Sequence, residues 1–442
     1  MRGTRTMALA AGLSVVFLGP VRAEKIAVTG GKVVTMADAG TLERGTVLIE
    51  DHRIVAVGAD LEVPDGYRTI DASGQWVTPG LMQAESRIGV EEVELESSTT
   101  DHSVNTGGIF AGESATAPFF AAFDISYGIN PNTPLIEISR IEGLTRAAVL
   151  PGQGLSVFAG QGALIHLGNG MDIVTNPRAA VVAYLGESGA DATGGARGAA
   201  MVYLRAALDE AARFARDGAS SLPARERDSI LPRLDIEALA PVVRGEVPLI
   251  LAVSRASDIL QVLALMTDFP DLRPVVLGAE EGWMVAGEMA AAGLPAIIDP
   301  MQNLPVTFSE IGATLRNAAR MSEAGVLVAL VGGAPNSRTH NARLLPQAAG
   351  VAVAHGMDWD AAMAAITLNP ARIFGIDGHF GSLEAGKDAD VVVWDGDPLE
   401  VMSSPTAVLV RGEQVPPVSR QTRLRDRYLD LADDENRHAY RK

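Results

Sequence analysis

Three stretches of different periodicity divide the chain. From Lys25 to Val77, short β-branched runs alternate with turn residues. Lys25–Met36 (KIAVTGGKVVTM) holds two such runs around Gly30-Gly31. Thr46–Glu50 and Arg53–Gly58 flank a tight turn at Asp51-His52, and Thr69–Asp71 and Gln75–Val77 follow. This pattern predicts antiparallel hairpins, with His52 solvated in its turn. From Gly80 onward the pattern changes. Ala147–Leu150, Pro248–Val253, Arg273–Leu277, Pro295–Ile298 and Gly325–Val331 are near-continuous apolar runs, as expected of strands buried on both faces. Between them, Ala200–Arg216, Ala256–Phe269 and Trp283–Ala292 are apolar on one side only, which predicts amphipathic helices. Gly186–Gly198 is rich in Gly, Ala and Ser and reads as a loop. Asn369-Pro370 reads as the cap and first residue of a helix. After Phe380 strands return at Val391–Trp394 and Ala407–Val410.

Strands alternating with helices over residues 79–380 predict an α/β fold of (β/α)8 TIM-barrel size. The β-rich segments 24–78 and 381–415 predict a small β-sandwich built from both chain ends. Residues 416–442 form a charged, helical-patterned tail. Residues 1–23 differ from all of this. Arg2 and Arg5 precede an apolar stretch from Met7 to Leu18, Gly19-Pro20 breaks it, and Val21-Arg22-Ala23 fits a small-x-small cleavage site loosely. That order of regions is expected of a signal peptide, and the apolar stretch is short for a bilayer span. A periplasmic or secreted protein, free of the membrane after cleavage, is the expectation.

Composition narrows the chemistry. Of 442 residues, 47% are hydrophobic, and 54 acidic against 36 basic residues give a net charge of −18. The apolar share is that of a globular protein, not a disordered one. The negative charge and the lack of a basic patch argue against nucleic-acid binding. The absence of cysteine removes disulfides, thiolate metal sites and a thiol nucleophile together. Any histidine-based site must draw on seven histidines.

Several motifs carry a family resemblance: Gln75–Met82 (QWVTPGLM), Leu150–Gly154 (LPGQG) with Gly160-Gln161-Gly162, His340–Arg343 (HNAR), Ala365–Ala371 (AITLNPA) and Gly381–Val393 (GSLEAGKDADVVV). Together they resemble the amidohydrolase superfamily, and within it the imidazolonepropionase-like branch. The resemblance spans nearly the whole chain after residue 23. It implies a barrel that hydrolyses C–N bonds through one or two divalent metals, whose bound water is acidified for attack. It also implies a His-x-His pair after the first barrel strand, a bridging Lys or Glu, single histidines on two later strands, and a final Asp.

None of these groups stands in its place. Where the family has Pro-Gly-Leu-x-x-x-His-x-His, this chain puts Glu85 and Arg87 at the two histidines. A carboxylate can ligate a metal; a guanidinium has donors only and stays charged. The bridging Lys falls at His166. The fifth-strand His falls near Ala252 or Ser254, the sixth-strand His at Gly278, and the Asp near Gly333, with no Asp between Asp299 and Asp358. These positions read as a degenerate metal site, and no catalytic residue is assigned. Arg87 and Arg255 suit a ligand carboxylate, and Glu85, His166 and His340 are further candidate ligand-binding groups. The run Glu91, Glu92, Glu94, Glu96 reads as a solvated loop face. Trp283 and Trp359 read as packing residues. Ser86 and Ser254 lack a recognisable triad.

The sequence therefore predicts a pseudoenzyme without cofactor. It is expected to bind a small molecule, and to form a homo-oligomer or pair with an active paralogue. The alternative is an active hydrolase of an amide or dipeptide-like substrate at an atypical site around Glu85 and His166. That site would hold one divalent metal, Zn, with His102 or Glu280 as a third ligand.

Overall fold

The computed structural model describes residues 24–94, 96–104, 119–221, 229–333 and 339–429. The expected targeting segment and the end of the tail lie outside them. The N-terminal part forms β1 (Ile26–Val34), β2 (Thr41–Glu50), β3 (Arg53–Gly58), β4 (Arg68–Asp71) and β5 (Trp76–Pro79). Eight strands follow: β6 (Leu81–Ser86), β7 (Leu144–Val149), β8 (Phe158–His166), β9 (Val174–Tyr184), β10 (Leu249–Val253), β11 (Pro274–Gly278), β12 (Ala296–Ile298) and β13 (Val328–Leu330). The chain then returns through β14 (Val391–Trp394), β15 (Pro405–Val410) and β16 (Glu413–Val415).

Strands β6 to β13 form one sheet in sequence order, a nearly closed barrel. It departs from a uniform (β/α)8 barrel in one place: β8 is antiparallel to both β7 and β9. No feature of the residue pattern announces this hairpin. Gly160 and Gly162 make β8 look like loop, yet all nine of its residues are buried. Gly160 takes a φ of +134°, and a Cβ on Gly162 would press on Leu150. Alternate residues divide two cores. Ile250, Val275 and Ile297 point into the barrel with Met82 and Ala84, while Leu249, Leu251 and Val276 pack outward against the helices. Phe374 and Phe380 join the inner core.

The gap between β13 and β6 is bridged by a side chain. Gln83, 0% exposed, donates from Nε2 to the Gly332 carbonyl at 3.1 Å and accepts from the Gly332 N–H at 3.0 Å. This amide-to-backbone pair stands in for two sheet hydrogen bonds. Gly332 has no room for a side chain, because a Cβ there would lie 2.5 Å from the Leu345 nitrogen.

The small β-rich part is an eight-stranded sheet with a core of its own, separate from the barrel, drawn from both chain ends as expected. Its middle joins the two chain ends, β5 pairing with β14 from Trp76↔Trp394 to Pro79↔Val391. β1 explains the continuity. It pairs with β4 along its first half and β5 along its second, and its register shifts at Gly31. The bulged strand thus passes between partners without breaking the sheet. The Gly381–Val393 motif locks this part to the barrel. Arg146 of β7 is buried and donates to Asp390 and Asp388 at 2.6 Å each.

Two local readings change. Gly186–Ala192 is a short helix where a loop was expected, with Gly189 seated against the Tyr184 carbonyl. The helix at Leu368–Ile373 begins one residue after Thr367, so Asn369-Pro370 lies inside it. The tail helix Arg420–Leu429 buries nothing and is tethered by Arg423 to Glu137 at 3.1 Å. Among the described residues no helix is long and apolar enough to cross a membrane. Replacing Gln83 with Leu leaves both Gly332 groups buried without partners. We expect a loss of about 2–4 kcal/mol in urea unfolding, since each such group costs about 1–3 kcal/mol.

Candidate functional site

The parallel strands end at one rim, which encloses a cleft of about 340 Å³. Counting from β6, the fourth strand of the sheet is β9, and it ends at Tyr184. Five of the positions singled out by sequence reach this cleft. Glu85 ends β6 with Arg87 just beyond it, Ala252 and Ser254 lie at the end of β10, and Gly278 ends β11. Gly333 follows β13 in a left-handed turn with φ 87°. The barrel thus delivers these positions to the end where such folds carry their sites.

His166 does not join them. β8 runs antiparallel, so its C-terminal residue pairs with Arg146 near the start of β7, at the opposite end of the barrel from Glu85. There His166 Nδ1 accepts from the Gly168 N–H at 3.1 Å, and Nε2 donates to the Asp172 carbonyl at 2.9 Å. Burial pushes its pKa down. A separate cavity of about 320 Å³ lies there, shared with Arg53, Arg146 and Arg411. The residue that the fourth strand brings to the cleft is Tyr184. A Glu85–His166 site does not form. Arg255 immediately precedes the helix Ala256–Asp268, with no capping hydrogen bond from its side chain, and does not line the cleft. His340 instead joins two loops, its Nε2 bonded to the Glu92 carbonyl at 2.9 Å.

At the floor of the cleft Arg87 meets three groups. Its Nη1 lies 3.2 Å from Glu91 Oε2 and 3.4 Å from His102 Nε2, and the guanidinium also lies against the Tyr184 hydroxyl. Glu91 is 3% exposed, which corrects the solvated face expected for the acidic run. Of the four acids in this six-residue run only Glu91 is buried, four residues beyond Arg87. Burial, with the Arg87 charge second, holds His102 neutral by lowering its pKa to about 4. Gly152 makes room, because a Cβ there would lie 2.5 Å from the His102 ring.

The upper wall is acidic but largely spoken for. Glu187 pairs with Arg197 at 3.2 Å and accepts from Ser309 at 2.8 Å. Glu310 accepts the Val306 N–H at 2.9 Å and Gln302 at 3.2 Å. Glu85 is also engaged. Glu280 differs. Its carboxyl folds back over Gly278, where an added Cβ would lie 3.1 and 3.2 Å from its two oxygens. It thus occupies the space in which a β11 side chain would project. Burial raises its pKa to about 7, a rise that the nearby Ser254 hydroxyl opposes. Asp299, just past β12, is raised by burial to about 6.

This donor set was tested against a divalent metal. Among the described residues no three His, Asp or Glu side chains are arranged to hold one. More tellingly, the space beside Glu85 holds a guanidinium that is ion-paired in place, and a cation there would meet its charge directly. The residues present do not fit the metal.

With this geometry in hand, comparison with known proteins places the chain. The amidohydrolase family profile matches residues 271–419. The chain is 24% identical to an imidazolonepropionase of Mesorhizobium japonicum over 400 residues, covering 82% of this chain and 90% of that one. It is 23% identical to the amidohydrolase tasK of Hapsidospora irregularis over 84% of its length, although it spans only 39% of tasK. The crystal structure of an amidohydrolase from Thermotoga maritima superposes with a TM-score of 0.76 at 23% identity, covering 88% of this chain and 99% of that one.

Residues 271–419 match the amidohydrolase family, and the relatives support a place in the amidohydrolase superfamily, in its imidazolonepropionase-like branch. That likeness supports hydrolase chemistry on C–N bonds, and members of the family usually use a divalent metal.

The raised carboxyls give a stability signature. An unfolded Glu280 ionises near 4.5 and the folded one near 7, so the folded state keeps a proton that the unfolded state releases. Stability is full below pH 4.5, falls as pH rises to 7, and then levels. We expect Glu280→Gln to abolish up to about 3 kcal/mol of that fall in unfolding titrations, leaving a smaller share from Asp299 between 3.8 and about 6.

Proposed function

We propose that this protein is an exported member of its family that binds a small polar molecule in the barrel mouth and does not carry out metal-dependent hydrolysis. The observation that carries the reading is Arg87. It stands at the second histidine of the family's metal-binding pair, and Glu91 holds its charge in place. The surroundings support the same reading. Tyr184 stands at the end of the fourth strand, Gly278 and Gly333 offer no side chain, and Ala252 and Ser254 supply a methyl and a hydroxyl. The cleft itself is retained, with polar groups converging on it as in a ligand site.

Export rests on the order of regions in residues 1–23. Assembly as a homo-oligomer, or beside an active relative, is part of the proposal. It fits a chain that keeps the family's scaffold while lacking its chemistry.

A second reading is favoured by Glu280. A carboxyl that titrates near neutrality in a cleft is suited to acid–base work, so hydrolysis of C–N bonds without the family's ligand set is the competing account. The imidazolonepropionase relatives favour an active enzyme in the same way.

The two readings separate on a panel of dipeptides and N-acyl amino acids, assayed with zinc or manganese added. We expect no turnover above the buffer rate for the mature protein. Turnover that disappears in Glu85→Ala or Glu280→Gln would overturn the proposal.

A further inference from the structure

The end of β11 is built in an unusual way. Gly278 and Ala279 are both left-handed, with φ of 97° and 48°. Ala279 is a residue with a Cβ in a region that disfavours one, a conformation held only where its surroundings enforce it. Two hydrogen bonds to the end of β10 do so: Ala279 N–H to Val253 O at 2.7 Å and Glu281 N–H to Ser254 O at 3.0 Å. The result is a chain reversal that lays the Glu280 carboxyl over Gly278, facing the cleft. One of its oxygens, Oε2, is shut from water and has no hydrogen-bond partner. A buried acceptor without a donor is costly, and its partner is naturally sought in a ligand. The terminal carboxyl torsion is broad and two-fold, so a small turn presents either oxygen to the cleft.

The charges around Glu280 decide what kind of group that partner is. Ser254 faces it from the end of β10, Asp299 from the end of β12, and Glu310 from the loop after β12. Across the cleft stand Glu85, Glu187, Tyr184 and Arg87. Arg87 is offset by Glu91, and Arg197 offsets Glu187. Beside Glu280 itself, Glu310 and Asp299 make the field negative, which repels a carboxylate and favours a cation. Tyr184 is the one aromatic lining residue, whereas quaternary ammonium groups are held by aromatic cages. A cation with N–H donors fits better.

We infer that Glu280, with Ser254, is the anchor for a primary ammonium group of a small organic ligand in the barrel mouth. This deepens the ligand-binding reading and rests on it. Binding the ammonium ion makes the ionised carboxyl the stable form, so the complex releases a proton when it forms near or below neutral pH.

The test is isothermal titration of the full mature chain with propylammonium, set against tetramethylammonium, propionate and propionamide, at pH 6 and pH 8 and equal ionic strength. Propylammonium alone is expected to bind. Its affinity should rise about tenfold from pH 6 to pH 8, as a carboxyl titrating near 7 requires. Protons released at pH 6, read by repeating the titration in buffers of different ionisation enthalpy, should be absent in Glu280→Gln. That variant should bind at least about tenfold more weakly, the usual loss of a charge-assisted hydrogen bond. Ser254→Ala, a milder change, should weaken binding without removing the proton release.

Equal binding of propionate or propionamide would overturn the inference. So would unchanged affinity in Glu280→Gln with its fold intact, or no binding of propylammonium at all. None of these results bears on whether the protein hydrolyses amides with added metal, so this inference and the reading beneath it fail separately.

Discussion

The ion pair between Arg87 and Glu91 governs the barrel mouth. Both groups sit in a partly closed space, with Glu91 almost wholly buried. Breaking such a pair leaves a charge without its partner, at about 3–5 kcal/mol. Neither residue can therefore revert alone. A histidine at position 87 would strand Glu91, and a metal beside Glu85 would face a fixed positive charge. His102, Tyr184 and Gly152 have fitted around the pair, one kept neutral, one against the guanidinium and one without a side chain. The floor has become a packed polar cluster, and the open part of the cleft begins above it.

The scaffold beneath has kept the devices that close and join it. Gln83 bridges the barrel seam to Gly332, and Arg146 clamps β7 to Asp388 and Asp390. These contacts give the motifs after Phe380 a structural role apart from the barrel mouth. Asp388 and Asp390 of the Gly381–Val393 motif hold the two parts of the molecule together, and Asn369 of the Ala365–Ala371 motif donates to the Val328 carbonyl of β13 at 2.8 Å. Their work is at the far end of the barrel and along its outside.

How far the sequence was legible follows from the same division. The ends of β10 and β11 were readable, because apolar runs of strand length terminate there, and the end of β6 was readable from the resemblance carried by Pro79-Gly80-Leu81; Glu85, Arg87, Ala252, Ser254 and Gly278 all reach the cleft. The β8–β9 hairpin was not readable. Its buried strand lacks alternation, and its glycines imitate a loop. His166 was expected at the mouth because it follows the Gly160-Gln161-Gly162 segment, but its strand runs the other way and carries it to the opposite end of the barrel. Glu91 was misjudged for another reason. In a run of four acidic residues only its distance from Arg87 marks it as the buried one, and that distance is helical in a segment that is not a regular helix. Glu280 was legible only as a possible third metal ligand, because its placement over Gly278 comes from a left-handed Ala279 that no propensity anticipates.

The central claim is that a paired guanidinium has replaced the metal in this mouth. It is tested most directly by saturating the mature protein with zinc, removing the excess by gel filtration, and measuring bound metal per chain by elemental analysis. The account predicts less than about a tenth of an ion per chain, since a stable site needs three or more protein ligands. About one ion per chain, lost in Glu85→Ala, would contradict it.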